Sequence, residues 1–318
     1  ELATSHAVEE VVTAATSAVR EAPNGRDYLQ AIQDELGLAV DLVSGPEEAR
    51  LIYLGVLSGM SFGDRPHLIL DIGGGSTELI LADGRDSRAL TSSRVGAVRL
   101  QRDFIKVEPI PPHRRSFLKT FIQGSLEPAV DKVLRRIKPG ETPVLVATSG
   151  TAMAIGALAA SEEDRPPRKL HGYRVSRQRL NRLVDQLVAM TPEQRRALTS
   201  INDRRAEIIV PGSLILQTTI QMVGVDEFVL SERALREGLI VDWMLRHGFL
   251  EDRFSFQSSI RQRTVIHQVK RFAVDQPRAE RVAAHALTLY DNSRGVMHQD
   301  HGQGRELLWA AAMLHTCG

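Results

Sequence analysis

Three consecutive glycines between two apolar β-runs, in LILDIGGGSTELILA from Leu68 to Ala82, constrain this chain more than any other stretch. With Gly73, Gly74, Gly75 and Ser76 as the turn, LILDI and TELILA become neighbouring strands in which Ile72 faces Thr77 and Asp71 faces Glu78. Opposed side chains on antiparallel strands have Cβ atoms roughly 4.5 to 5.5 Å apart, and like charges there are destabilising. At about 5 Å and an effective dielectric of about 20, two full negative charges repel by ~3 kcal/mol. A hard divalent cation such as Mg²⁺ offsets that repulsion, because carboxylates and water are its preferred ligands and it couples them to phosphate. The glycines, lacking Cβ atoms, let backbone N–H groups approach phosphate oxygens as an anion nest. No Gly-Lys-Ser/Thr follows, and the glycines lead into a second β-run instead of a helix, which excludes a Walker A loop and a dinucleotide fingerprint. A glycine hairpin ending in two solvated carboxylates is the simpler alternative.

A second glycine element is LVATSGTAMAIGAL, where a buried-type strand ends in Ser149-Gly150-Thr151 and a helix begins. A helix N-terminus offers unpaired N–H donors and a positive dipole end to phosphate, although an ordinary Ser/Thr helix cap has the same sequence. Upstream, SGPEEARLIYLGVLSGM carries Ser44 as N-cap, Pro46 in the first turn and Glu47 three residues after the cap, the signature of a capping box. VVTAATSAV and AVDLVS read as strands on either side of the helical NGRDYLQAIQDELGL, and from Ser176 onward helices dominate, apart from the short strand EFVLS. Glycine turns at strand ends, followed by helices, predict α/β domains and then an α-helical one.

The chain of 318 residues and 35.2 kDa is too long for one comfortable domain, and 42% hydrophobic with 25% charged residues is an ordinary globular composition. A formal net charge of +1 supplies no global field for nucleic acid or a membrane, so neither is an expected partner. The single cysteine, Cys317, rules out an internal disulfide framework and fits a reducing cytoplasm. VLVATSGTAMAIGALAAS is too polar to span a bilayer, and no signal peptide opens the chain. ELATSHAVEEVV reads like the middle of a domain, so a preceding segment is expected.

ATSAVREAPN, SGPEEARLIYLGV, DIGGGSTELI, RVGAVRL, ATSGTAMAIGAL, RRAEIIVPGSLIL and LSERALREGL occur in that order, and together they resemble the exopolyphosphatase/guanosine pentaphosphate phosphohydrolase family from Val11 to about Gly248. The resemblance implies an α/β, actin-like (ribonuclease-H-like) two-lobe fold with a C-terminal α-helical HD-like segment. Residues 1–65 would complete a first lobe whose initial strand–turn–strand phosphate loop is missing, 66–250 would form the second lobe with a crossover helix, and 251–318 would begin the HD-like domain. It also implies a Mg²⁺-assisted phosphohydrolase that removes the terminal phosphate of inorganic polyphosphate or guanosine pentaphosphate, working in the cytoplasm as a homodimer and in the stringent response. A non-catalytic guanosine tetra- or pentaphosphate-binding regulator and a kinase-like phosphotransferase are the rival readings.

Hydrolysis of a phosphoanhydride needs an oriented water, a group to deprotonate it and charge compensation. Glu47 has a capping job to do, which leaves Glu48 as the freer carboxylate; the resemblance also lines Glu48 up with the catalytic glutamate. Glu47 in that role, or both residues as an acidic first turn, remain open. Asp71 and Glu78 are the metal candidates, and Gly73, Gly74, Ser76, Ser149, Gly150 and Thr151 the phosphate donors. Arg20 and Arg236 resemble the cleft arginines of the family. Arg94 and Arg99 stay divided between phosphate contact and solvated surface, as do Arg195, Arg196, Arg204 and Arg205 between a polyanion track and plain helix charge. HQDH, His298 to His301, reads as a solvated loop before a metal cluster. His315-Thr316 stands where a functional HD site has His-Asp, so the tail is expected to extend a binding surface or a dimer contact, with no metal-dependent hydrolysis of its own.

Overall fold

The glycine runs pair as the expected hairpin: β3 (His67–Ile72) lies antiparallel to β4 (Thr77–Ala82), with Asp71 opposite Glu78 and Ile72 opposite Thr77. The computed structural model describes residues 5, 8, 10–62, 65–84, 86–250, 265–266, 268–298 and 303–317, in two compact units divided between Leu239 and Ile240.

In the first unit the hairpin continues into β5 (Ser87–Ser93), and β3 also pairs parallel with β6 (Val144–Thr148). β8 (Glu227–Leu230) lies parallel to β6, and β7 (Arg174–Ser176) closes the edge antiparallel to β8, so the sheet order is β5-β4-β3-β6-β8-β7. Alternation along the strands sorts the two faces. Leu68, Leu70, Ile72, Leu79 and Leu81 join the larger core with helices α5 (Pro112–Leu134), α6 (Ser149–Ser161), α7 (Arg177–Ala189) and α9 (Asp203–Val223). Ile69, Ile80 and Ala82 face the other way, onto Ala49, Ile52, Tyr53 and Val56 of α3 (Gly45–Leu57). By the same parity, Asp71 of β3 and Glu78 of β4 point to the α3 side. The helix α9 is long and apolar enough to cross a membrane by length and composition, yet 72% of its apolar window is buried inside this unit, as suits a core helix.

VVTAATSAV and AVDLVS form shorter strands than their β-branched runs suggest. Only β1 (Ala14–Ala15) and β2 (Asp41–Leu42) pair, in parallel, and the chain turns helical at α1 (Ser17–Glu21). Between β1 and β2 runs α2 (Gly25–Leu36), whose C-cap Gly37 has φ +66°, a left-handed position that suits glycine. The strand β5 and the helix α4 (Ala97–Phe104) give no clear periodic signal in the sequence and are found only in the structure. At the far end of α3 a Cβ on Gly55 would stand 1.8 Å from Ala234 O, and one on Gly238 1.8 Å from Leu51 O. The start of α10 (Leu235–Arg246) therefore packs backbone to backbone on α3.

In the second unit, Val265, Val269, Ala279, Ala283, Ala312 and Met313 form a small core around α11 (Gln276–Ser293) and α12 (Gln303–Met313). His298 stacks on Tyr290 with ring centroids 3.8 Å apart; the rest of HQDH lies outside the described residues. His315 Nδ1 donates to Ala312 O at 2.7 Å.

Because a methyl at position 238 has only backbone to displace, Gly238→Ala is expected to cost roughly 1–3 kcal/mol. Thermal unfolding checks this as a fall in midpoint of about 2–4 °C per kcal/mol.

Candidate active site

Three carboxylates from three elements meet at one end of the sheet. Ser44 caps α3 by accepting from Glu47 N at 3.3 Å, and Pro46 sits in the first turn, as expected. A Cβ on Gly45 would stand 2.6 Å from Ser92 Cβ, so the helix starts directly against β5, and Ser92 is the cross-strand partner of Glu78. That contact brings Glu48, in the first turn of α3, to the Asp71–Glu78 pair.

The Glu47 carboxylate does not serve as the capping-box partner the sequence suggests. It takes a bidentate pair of hydrogen bonds from Arg50, Nε to Oε2 at 3.0 Å and NH2 to Oε1 at 2.7 Å, and both side chains are buried. Arg50 lies three residues on, on the same helix face, where a guanidinium fork competes well for a carboxylate. Glu48 Oε2 accepts from Arg20 NH1 at 3.2 Å and NH2 at 3.3 Å, while Arg20 NH1 also donates to Val43 O at 2.6 Å. The guanidinium of Arg20 is thus held on Glu48. Arg236 is exposed in the first turn of α10, which crosses α3 at Gly55, seven residues beyond Glu48.

Burial holds all three carboxylates back from ionising, and crowding by like charge adds to it at Asp71 and Glu78. Burial pushes Glu48 up and outweighs the opposing Arg20 charge and the hydrogen bonds from Arg20 and Thr16. Asp71 is pushed up to about 7 by burial and then by the charge of Glu48. Glu78 is pushed up to about 8 by burial, with Glu48 and Asp71 adding to the rise and hydrogen bonds from Ser92 and Ser76 working against it. Ser92 Oγ donates to Glu78 Oε1 at 2.7 Å. Among the described residues no group of three His, Cys, Asp or Glu side chains is arranged as a direct metal cage. Asp71 and Glu78 are the pair able to hold a cation, with water or a phosphate completing its oxygen shell.

The second turn lies beside the first, because the parallel register sets Asp71 next to Thr148 and Ser149 follows at once. Ser149 has φ +98°, strained for a residue with a side chain, and such strain gathers at functional turns. The guanidinium of Arg205 occupies the space where a Gly150 Cβ would project, with NH2 2.0 Å from that position. Thr151 Oγ1 is buried without a hydrogen-bond partner, close against Gly212 of α9. Of the arginines divided in the sequence between polyanion track and helix charge, Arg205 alone is seen against a glycine turn. Arg195 is wholly buried and structural: it donates to Ala206 O at 3.1 Å and Met190 O at 2.9 Å and pairs with Glu108. Arg196, the last residue of the short helix α8 (Pro192–Arg196), is exposed, 3.8 Å from Glu193 and 3.9 Å from Glu207.

A cleft of about 460 Å³ adjoins the cluster, lined among others by Arg20, Glu21, Ser76, Ser92, Arg94 and Lys132. The sequence reading missed Ser92 and the position of Arg205. The first is a cross-strand neighbour, visible only once β5 is registered; the second needs α9 docked over α6.

The raised carboxylates make a stability prediction. Their neutral forms are favoured in the folded chain, so their contribution is full below the ordinary carboxylate range and is lost as pH rises through about 7 for Asp71 and about 8 for Glu78. In metal-free buffer the thermal midpoint should therefore fall between about pH 4 and pH 8. The double change Asp71→Asn/Glu78→Gln should flatten that slope and raise the stability at pH 8 by an amount on the order of a few kcal/mol, read as a higher thermal midpoint.

The Ppx/GppA phosphatase family matches residues 1–247, and its domain III matches residues 260–318. A guanosine-5'-triphosphate,3'-diphosphate pyrophosphatase of Vibrio vulnificus is 30% identical over 98% of this chain and 58% of its own length. Exopolyphosphatase 1 of Mycobacterium leprae is 32% identical over 76% of this chain and 70% of its own. Among solved structures, an exopolyphosphatase from Cytophaga hutchinsonii superposes with a TM-score of 0.69 at 27% identity, covering 76% of this chain and 78% of that one. The Aquifex aeolicus family member gives 0.65 at 27% identity, covering 77% of each chain. The fold is the actin-like one expected from the sequence. The chain spans 58% and 57% of the length of the two Vibrio relatives it matches.

Proposed function

Since this chain belongs to the Ppx/GppA phosphatase family, we propose that it is a phosphohydrolase that releases the terminal phosphate of inorganic polyphosphate or of guanosine pentaphosphate. The observation that carries this reading is the convergence of three crowded carboxylates with two glycine turns at one end of the sheet. The names of the relatives, which include a guanosine pentaphosphate hydrolase and exopolyphosphatases, support both substrates.

In this scheme the backbone N–H groups of the glycine hairpin and of the first turn of α6 bind the terminal phosphates, and Arg205 beside Gly150 adds a cation to the second turn. Glu48 accepts the proton of a water whose oxygen attacks the terminal phosphorus, while the bridging P–O bond breaks and the shortened chain departs. Its upward shift brings it nearer to the working pH of a base, and Arg20 keeps it oriented. A Mg²⁺ ion at Asp71 and Glu78 would supply charge compensation to the phosphate oxygens; two carboxylates that resist ionising for want of a countercharge suit it. We extend the proposal to a cytoplasmic homodimer, which light scattering of the purified chain checks.

Phosphate release from polyphosphate and from guanosine pentaphosphate, in Mg²⁺ buffer with no other acceptor, is the direct test. Release is expected from at least one; none from either overturns the proposal. Glu48→Gln should lower turnover about a hundredfold, in the range lost with a positioned general base, with substrate binding nearly unchanged. Full turnover in that variant would move the base elsewhere.

A further inference from the structure

The glycine hairpin is gripped from behind by α4, and the grip accounts for the carbonyls of all three glycines, while the Ser76 carbonyl accepts from Gly73 N within the hairpin. Ala97 N donates to Gly73 O at 3.0 Å, and Val98 N and Arg99 N both donate to Gly74 O at 3.0 Å. The third carbonyl, Gly75 O, accepts from the Arg99 side chain, Nε at 3.2 Å. A Cβ on Gly96 would stand 2.4 Å from Gly74 O, so the N-cap of α4 must be glycine for the helix to come this close. In a trans peptide the N–H points opposite to the C=O. Carbonyls turned toward α4 therefore turn the N–H groups of Gly74, Gly75 and Ser76 away from it.

Arg99 is itself held. Its NH2 donates to Glu21 Oε2, and Glu21 Oε1 accepts from Ser17 Oγ at 2.7 Å. Ser17 in turn packs on the turn, since a Cβ on Gly75 would stand 2.6 Å from Ser17 Oγ. Burial alone would push the Glu21 carboxyl up, but the Ser17 hydrogen bond and the charges of Arg99 and Arg94 bring it below its ordinary value. The result is a closed ring, Ser17–Glu21–Arg99–Gly75, that joins α1 to the hairpin. Arg20, the neighbour of Glu21 on α1, carries Glu48.

We propose that Arg99, anchored by Glu21, is a positioning residue that fixes the Gly75–Ser76 peptide with its N–H toward the phosphate. This rests on the reading of the hairpin as the phosphate turn. Of the two roles open to Arg99 in the sequence, neither is this one: the guanidinium binds the back of the turn and not the phosphate. A second effect of the pair needs separating from it. Glu21 lines the cleft, and without Arg99 its charge, left with Arg94 alone, would repel a polyphosphate more strongly.

The test uses the full chain labelled with ¹⁵N-glycine and ¹⁵N-serine, titrated with inorganic tripolyphosphate in Mg²⁺ buffer, alongside steady-state kinetics on polyphosphate. In the parent chain the amides of Gly74, Gly75 and Ser76 are expected to shift with tripolyphosphate; if none moves, the phosphate-turn reading falls, and this proposal with it. Arg99→Gln should weaken tripolyphosphate binding at least tenfold and raise KM more than it lowers kcat. Arg99→Lys keeps the charge but cannot span Gly75 O and Glu21 together, so it should fold and also bind several-fold more weakly. The double variant Glu21→Gln/Arg99→Gln should stay as weak as Arg99→Gln alone. Recovery of parental affinity in the double variant would assign Arg99 only to cancelling the charge of Glu21, and unchanged binding in Arg99→Gln with the parental amide shifts would remove its role altogether.

Discussion

The crowding of Glu48, Asp71 and Glu78 is the constraint on which the rest of the site depends. Glu48 and Glu78 are buried and Asp71 is half-buried; the charge of Glu48 raises the cost of ionising Asp71, and those of Glu48 and Asp71 raise it for Glu78. A cluster of this kind is unfavourable to the fold by itself, and proteins keep such arrangements where a ligand or a reaction compensates for them. Among the described residues only one of the three has a cation of its own, Arg20 on Glu48. The asymmetry divides the roles: a carboxylate held and oriented by a guanidinium suits proton transfer, and the opposed pair across the hairpin suits an external cation.

Much of this was legible in the chain. The cross-strand pairing of Asp71 with Glu78 follows from the turn length, and the structure has that register. The two adjacent glutamates are each held by an arginine, Glu47 by Arg50 instead of the cap and Glu48 by Arg20, and of the two it is Glu48 whose charge acts on Asp71 and Glu78. What was not legible is why the three carboxylates share a face. That depends on strand parity against α3, on Gly45 seating the helix at Ser92 and on the registration of β5, all long-range facts. The arginines show the same limit. Sequence spacing shows where a cation stands along the chain and leaves open what it touches, so Arg195 turned out to be buried with Glu108 while Arg205, ten residues on, lies against Gly150.

The short β1 and β2 illustrate the opposite failure. Val11, Val12 and Thr13 favour a strand by type, yet Val11 and Val12 are exposed, and pairing is confined to two residues on each side. β-propensity expresses fit to a half-buried pleated surface, and where no neighbouring strand covers the run it does not determine structure. The contacts of this region with the carboxylate cluster come instead from α1, whose first turn packs on the glycine hairpin and whose last carries Arg20 and Glu21.

The two glycine turns solve the same problem by different means. In the hairpin, three carbonyls are satisfied from α4 and Arg99, so the peptide planes are set by hydrogen bonds and the glycines need no positive φ. In the second turn the chain passes straight from β6 into α6, leaving no room for such a backing helix, and the bend is taken up at Ser149 with φ +98°. Strain of that kind costs on the order of 1–3 kcal/mol and persists only where the surroundings hold it. Here α9 does so, with Gly212 closing on Thr151 and Arg205 on Gly150. The long apolar helix whose burial sets it apart from a membrane span is thus also what keeps the second turn bent. A loosening of α9 would relax Ser149 and withdraw Arg205 from Gly150 together, which couples the packing of the larger core to the geometry of the second turn.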